Sequence, residues 1–314
     1  MLDFPEPKNV KLREISMQIH EAGSGPAVVL LHGFPELALS WQPQVRALAD
    51  AGFHVVVPNQ RGYGWTDAPE PIESYDLVHL TDDIAALLDK LGIERAVFAG
   101  HDWGGFVAWA MPLRYPDRCL GVIGVNTPYI KFPTTAQLRI AFPDPEKLYI
   151  LWFQQPGVAE ASMDRKVRTI FEKLMRRAVK PEVASMRQLP DANPFKQIEQ
   201  LPAAGEPLLT KEELDAYVAA YQHSGFRGGI NWYRNIDRNS TLVPDLGVTK
   251  LTLPCLQVTA AWDVAIPPAM ADGMAALCSD LKRHDIQSCG HWTQREQPAE
   301  LNRAMIGWLK ARFK

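Results

Sequence analysis

Between residues 27 and 125 short apolar runs alternate with amphipathic stretches, and that alternation leaves few folds open. Ala27-Val-Val-Leu-Leu31 is apolar throughout, is bounded by Gly25 and Gly33, and reads as a buried strand. His54-Val-Val-Val-Pro58, Ala96-Val-Phe-Ala99 and Leu120-Gly-Val-Ile-Gly-Val125 repeat the pattern. Helices are expected over 40–51, 79–91 and about 104–115; in the second, Ile84, Leu87, Leu88 and Leu91 recur at helical spacing. Asp82 and Asp83 are expected near its start, where the helix dipole favours anions. Repeated strand–helix units of this length predict an α/β fold, a mostly parallel sheet with helices on both faces. From about 128 to 245 the strand signal vanishes, and Pro133, Pro143, Pro156, Pro181, Pro190, Pro194, Pro202 and Pro207 break the segment into short helices. The strand signal returns at Leu253-Pro-Cys-Leu-Gln-Val258, and a last helix is expected over 297–312. The expected organisation is a core of residues 1–127 and 246–314 with a helical cap, 128–245. The cap should cover the carboxyl edge of the sheet, where parallel sheets bind their ligands.

Gly100-His101-Asp102-Trp103-Gly104 falls on the boundary between one of these strands and its helix. In that position G-x-nucleophile-x-G is a nucleophile elbow, whose tight turn lifts the central side chain into the site. The usual occupant is serine; here it is aspartate. A carboxylate is already ionised near neutral pH and needs no base to become a nucleophile. It suits attack on an sp³ carbon carrying a strained or good leaving group. The alternative, a plain strand–turn–helix junction with an acid at the helix start, is the weaker reading of the pentapeptide and weaker still beside its partners. Its partners are Asp263, after the late strand in Thr259-Ala-Ala-Trp-Asp263, and His291, in Cys289-Gly-His291-Trp292. Nucleophile, acid and histidine follow in the chain order that such elbows use. Asp263 would hold the imidazole of His291 in one tautomer and stabilise its cation. The loop His32-Gly-Phe34-Pro-Glu36 follows the first strand, which makes the backbone N–H groups of Phe34 and Trp103 candidate oxyanion donors. Pro35 fits a plain fixed turn as well.

Other chemistries find less support. With 33 basic and 36 acidic residues the formal charge is −3, so no basic field is available for nucleic acid. The four cysteines form no C-x-x-C pair and no zinc spacing with histidine, and read as free thiols in a reducing compartment. Gly62-Tyr-Gly64 lacks the third glycine of a dinucleotide loop. Residues 1–8 lack the apolar stretch of a signal peptide, and no run approaches the roughly 20 apolar residues that insert into a membrane. A cytoplasmic protein is expected. A homodimer is compatible with the sequence, which leaves oligomeric state open.

The motifs HGFPE at 32–36, GHDWGG at 100–105 and CGHWTQ at 289–294 resemble those of soluble epoxide hydrolases, a family of the α/β-hydrolase fold. Two segments of the expected cap are more diagnostic. Leu148-Tyr-Ile-Leu-Trp-Phe-Gln-Gln-Pro-Gly-Val-Ala-Glu160 looks like the family's first cap segment, with its catalytic tyrosine falling on Tyr149. Gly225-Phe-Arg-Gly-Gly-Ile-Asn-Trp-Tyr-Arg-Asn235 looks like the second, with its tyrosine on Tyr233. The resemblance covers essentially the whole chain, and nothing in it resembles the extra phosphatase domain of some animal members. It implies a small-molecule epoxide and water as reactants, a vicinal diol as product, an ester on Asp102 hydrolysed by water that His291 activates, and no cofactor. Trp103, Ile150 and Trp292 are candidate substrate contacts. Two positions depart from the family pattern: Ile150 replaces a polar residue often found there, and Gln155 stands where glutamate is common. The nearest alternative is a haloalkane dehalogenase, which shares the aspartate nucleophile and could use Trp152 or Trp232 as a halide donor. It leaves the two tyrosines unexplained, and Phe34 stands where dehalogenases often have an amide or glutamate. A non-catalytic ligand receptor on the same fold is a third reading, disfavoured by retention of Asp102, Asp263 and His291.

Overall fold

The computed structural model describes residues 2–183 and 185–313, with Met1, Ala184 and Lys314 outside the description. Eight strands form one sheet: β1 (Lys8–Lys11), β2 (Ser16–Ala22), β3 (Ala27–Leu31), β4 (His54–Pro58), β5 (Ala96–His101), β6 (Cys119–Val125), β7 (Leu251–Ala260) and β8 (Cys278–Ile286). Their order across the sheet is β1-β2-β4-β3-β5-β6-β7-β8. β1 and β2 pair antiparallel, as do β2 and β4; the remaining pairings are parallel. Helices α1 (Gln42–Asp50), α2 (Leu77–Lys90) and α3 (Trp103–Arg114) separate the early strands.

The all-apolar strands are explained by what covers them. Val28 and Leu30 of β3 pack on one face with Trp41, Val45 and Leu48, beside Leu301, Met305 and Trp308 of the last helix. Val29 and Leu31 face the other way, toward Leu80, Ile84 and Leu87 of α2 and Val107 and Met111 of α3. A strand buried on both faces has no polar alternation to show. The edge strands follow the opposite rule. β8, Cys-Ser-Asp-Leu-Lys-Arg-His-Asp-Ile, is mostly polar or charged and half exposed, and β1 is Lys-Asn-Val-Lys. Charge along an edge blocks pairing with another chain, and it also removes the apolar signal, so neither strand is legible in the sequence.

Helix α2 corrects one expectation. It starts at Leu77, capped by Asp76, whose Oδ1 accepts from the His79 N–H at 3.0 Å. Asp82 and Asp83 therefore lie in the second turn and serve other partners. Asp83 accepts from Arg61 Nε at 2.7 Å in a buried pair, and Asp82 accepts from Arg114 and from the Tyr115 hydroxyl, each at 2.6 Å.

Between β6 and β7 lie α4 (Thr135–Ala141), α5 (Tyr149–Trp152), α6 (Val158–Met163), α7 (Val167–Leu174), α8 (Lys211–Ser224), α9 (Arg227–Arg234) and α10 (Ile236–Leu242). The β pairing among the described residues here is limited to two isolated bridges, Leu148 with Ala192 and Arg176 with Pro207. Helices α11 (Met274–Leu277), α12 (Thr293–Glu296) and α13 (Pro298–Phe313) complete the chain.

At the β5–α3 junction the backbones of two elements nearly touch: a Cβ on Gly104 would lie 2.1 Å from the Leu31 carbonyl oxygen. Gly104→Ala should therefore destabilise the fold by about 1–3 kcal/mol or more, since backbone on both sides cannot give way. Gly307 in α13 has open space around its position, and Gly307→Ala should stabilise by up to about 1 kcal/mol. Urea denaturation midpoints check both signs.

Candidate active site

β5 ends at His101 and α3 begins at Trp103, so Asp102 takes the whole turn, with φ 51° and ψ −123°. A non-glycine residue there is strained and must be held by its surroundings. Thr127 Oγ1 donates to the Asp102 carbonyl at 2.7 Å. Across the site, a Cβ on Gly33 would lie 2.5 Å from Asp102 Oδ1, so only glycine lets this loop approach. The approach brings the Phe34 N–H to 2.8 Å from Asp102 Oδ1, and the nearby Trp103 N–H also favours the carboxylate anion. Burial pushes the Asp102 carboxyl above its ordinary pKa; the His291 and His101 imidazoles and the two N–H groups oppose that rise in part. The ionised nucleophile that the sequence suggests thus depends on these neighbours.

His291 Nε2 lies 3.8 Å from Asp102 Oδ2, and its Nδ1 donates to Asp263 Oδ2 at 2.9 Å. Burial works against the imidazolium, but the charge and hydrogen bond of Asp263, with the charge of Asp102, outweigh it and hold His291 at about 9. Asp263 stays below the ordinary carboxylate range although burial opposes this, because His291, the Ile266 N–H and Asn126 favour its anion. The Ala265 and Ile266 N–H groups each donate to Oδ1 at 2.9 Å, and Asn126 Nδ2 donates to Oδ2 at 2.6 Å. Asn126 sits at φ 62°, directly after β6. Sequence reading missed it, since no motif surrounds it. The one available signal is a polar pair, Asn126-Thr127, ending a wholly apolar run.

A second layer lies beneath. His101 donates through Nε2 to the His291 carbonyl at 2.7 Å, and its Nδ1 meets Glu36 Oε2 at 2.7 Å. Glu36 Oε2 also accepts from the Gly33 N–H at 2.8 Å, and Gln294 Nε2 donates to Glu36 Oε1. One buried carboxylate therefore ties the Phe34 loop, the elbow and the His291 loop together. Glu36 and His101 stand inside the motifs quoted above, but their joining was not legible.

Tyr149, at the start of α5, and Tyr233, in α9, meet over this site. Their rings meet edge to face, 5.6 Å apart. The Tyr233 ring lies 5.3 Å from Phe34 and 5.2 Å from Trp103. Burial raises both phenols above their ordinary pKa, and the Asp102 carboxylate adds to the rise, so both stay protonated at neutral pH. Two cavities, of about 440 and 370 Å³, share Asp102, Tyr149 and Tyr233. The first runs past Phe34, Leu174, Phe195 and Trp292, with His291 in its wall. The second runs past Trp103, Phe106, Phe142 and Ile150. The structure thus brings Asp102, His291, Asp263, Tyr149, Tyr233 and the Phe34 and Trp103 N–H groups to one place. It sets Trp103 and Ile150 in one arm and Trp292 in the other.

The α/β-hydrolase fold family matches residues 26–298. Epoxide hydrolase A of Mycobacterium tuberculosis is 39% identical over 97% of this chain and 97% of its own length. Bifunctional epoxide hydrolase 2 of Sus scrofa is 41% identical over 94% of this chain. The chain spans about half the length of the bifunctional relatives it matches, 53% of the Sus scrofa protein and 54% of that of Mus musculus. A crystal structure of Epoxide Hydrolase A from Mycobacterium thermoresistibile, 40% identical, aligns with a TM-score of 0.88 over 98% of each chain. This chain belongs to the epoxide hydrolase family.

Its two departures from the epoxide hydrolase pattern leave the reacting groups alone. Ile150 is buried in the wall of the second arm, and the Gln155 side chain is exposed while its carbonyl accepts from Arg234 at 3.0 Å. Trp232, a halide donor in the dehalogenase alternative, donates its indole N–H to the Arg61 carbonyl at 3.2 Å. No helix among the described residues is long and apolar enough to cross a membrane.

The Asp263 charge is what overcomes the burial of His291. Asp263→Asn should therefore bring His291 down from about 9 into or below the ordinary imidazole range. The site would then lose its resting imidazolium at neutral pH. Titration of the His291 ring protons by NMR measures this, and an unchanged value near 9 would contradict the assigned cause.

Proposed function

We propose that this chain is an epoxide hydrolase that opens epoxides to vicinal diols through an ester on Asp102. The observation that supports it best is the pairing of a buried elbow carboxylate with two protonated phenols across one cavity. The epoxide oxygen lies between the two phenols, and both Tyr149 and Tyr233 donate to it. Asp102 attacks one ring carbon with Oδ2, the oxygen on the His291 side. The C–O bond breaks, the alkoxide takes a phenol proton, and a hydroxyalkyl ester remains.

Ester formation removes the negative charge that helps hold His291 at about 9. The imidazolium then gives up its proton more readily; that proton restores the phenol that protonated the alkoxide, and the neutral imidazole becomes a base, oriented by Asp263. Water gives it a proton and attacks the Asp102 carbonyl carbon. The oxyanion accepts from the Phe34 N–H, which already holds the carboxylate, and from the Trp103 N–H beside it. The intermediate collapses by breaking the ester C–O bond, the leaving alkoxide takes the proton of the new Asp102 carboxyl, and the diol leaves as the carboxylate returns. Every step uses this chain's side chains, backbone and water.

In this reading residues 128–245 act as the cap and residues 1–127 and 246–314 as the core. The two apolar arms leading from Asp102 favour epoxides with an apolar substituent on each ring carbon. The four cysteines are all free and buried, which suits a reducing, cytoplasmic setting.

The test is turnover of styrene oxide and trans-stilbene oxide, scored as diol, beside 1-chlorobutane, scored as free halide. Diol without halide is expected; halide release would favour the dehalogenase reading. Tyr149→Phe and Tyr233→Phe should each slow ring opening, and the double variant by about 10²–10⁴-fold, the usual contribution of a general acid. Ring opening at the parent rate in both single variants would remove the tyrosines from the mechanism.

A further inference from the structure

The two phenols converge on one point but are anchored differently. α9, which carries Tyr233, is fastened to the core. Its Gly228 packs against Gly62, where a Cβ would lie 2.3 Å from the Gly62 carbonyl oxygen. Arg227 donates to the Pro69 and Ala68 carbonyls, each at 2.9 Å, and Asn235 Nδ2 donates to the Ile72 carbonyl at 2.7 Å. α5, which starts with Tyr149, is a single turn. The Tyr149 N–H donates to the Ala192 carbonyl at 3.3 Å, and Ala192 lies in the same inserted segment. Something must set α5 against α9.

Arg234, the residue after Tyr233, makes that connection. A guanidinium has five N–H donors, and this one makes five hydrogen bonds. Nε donates to the Phe153 carbonyl at 2.8 Å. Nη1 donates to Glu160 Oε1 at 2.6 Å and Asn231 Oδ1 at 2.8 Å. Nη2 donates to the Gln155 carbonyl at 3.0 Å and Glu160 Oε2 at 3.1 Å. Phe153 and Gln155 lie in the chain leaving α5, and Glu160 lies on α6. Both side chains are buried, and neither is among the described residues lining either arm of the cavity. Asp164, at the end of α6, holds the other end of α9 by accepting from the Phe226 N–H at 3.0 Å. Gln154 adds a second strap, donating through Nε2 to the Ile150 carbonyl at 2.8 Å and the Tyr233 carbonyl at 3.0 Å.

We propose that Arg234 and Glu160 are positioning residues that set Tyr149 in register with Tyr233 and thereby govern ring opening, without acting on hydrolysis of the ester. This rests on the epoxide hydrolase reading above. The hydroxyls must reach the same oxygen, and displacing a catalytic group by about 1 Å costs up to roughly 100-fold in rate. Ester hydrolysis uses Asp102, His291, Asp263 and the Phe34 and Trp103 N–H groups, all on core elements, so it does not feel the clamp. Lysine cannot replace Arg234, because an ammonium offers three donors and no planar fork.

Rapid-quench single turnovers of the full chain with styrene oxide give two rate constants, growth of the ester on Asp102 and its decay to diol. In Arg234→Lys the growth constant should fall at least about tenfold, while the decay constant stays within about twofold of the parent with an unmoved pH profile. Glu160→Gln keeps one oxygen that can accept from Nη1, and should show a smaller loss in the same step alone. A merely structural role would reduce the amount of active enzyme and leave both constants as they are, which overturns the proposal; so does equal slowing of both steps. If Arg234→Lys does not fold, Glu160→Gln decides by the same criterion. Absence of any ester in the parent overturns the underlying reading and the clamp with it. An ester in the parent with an unchanged growth constant in the variants overturns the clamp alone.

Discussion

The charge on Asp102 has to survive burial, and the structure around it is arranged to that end. A carboxyl among aromatic rings drifts toward its neutral acid, which cannot attack carbon. The Phe34 and Trp103 N–H groups and the His291 imidazole favour the anion. His291 can do so only because Asp263 holds it near 9, and Asp263 in turn leans on Asn126 and on the Ala265 and Ile266 N–H groups. Removing any one of these supports weakens the hold on the next buried charge. The strained turn at Asp102 and the glycines that allow Gly33 and Gly104 to approach are geometric conditions for the same set of contacts.

The two halves of the proposed reaction fall on different parts of the chain. Ester hydrolysis belongs to the ends of β5 and β7, the loop after β3 and the His291 loop. Ring opening adds the phenols from the helices between β6 and β7. The two sets are coupled electrostatically as well as through substrate. The Asp102 carboxylate helps keep Tyr149 and Tyr233 protonated, so the proposed nucleophile favours the proposed proton donors. Once the ester forms, that influence ends at the same moment as the hold of Asp102 on His291.

What was legible in the sequence follows from how local each signal is. The buried parallel strands are continuous apolar runs because both faces are covered, and the elbow is a contiguous pentapeptide at a strand end. β1, β2 and β8 escaped because edge and antiparallel strands carry charge where they meet solvent. Asp82 and Asp83 were misplaced because the capping residue, Asp76, lies six residues earlier, outside the amphipathic pattern that marks the helix. Asn126, and the joining of Glu36, His101 and Gln294, were invisible for another reason: their partners are 65 to 258 residues distant in the chain and meet only after the sheet has formed. That Tyr149 and Tyr233 would share a cavity with Asp102 was readable through family resemblance alone, since a single tyrosine in this segment is otherwise indistinguishable from packing.

The claim beneath all of this is that Asp102 itself attacks carbon. A single turnover in ¹⁸O-water with enzyme in excess over styrene oxide tests it directly, reading the label in the diol and in the peptide containing Asp102 by mass spectrometry. The account predicts a first diol carrying mostly unlabelled oxygen, with ¹⁸O incorporated into Asp102. A first diol labelled at once, with Asp102 unlabelled, would mean that water attacks the epoxide and would contradict it.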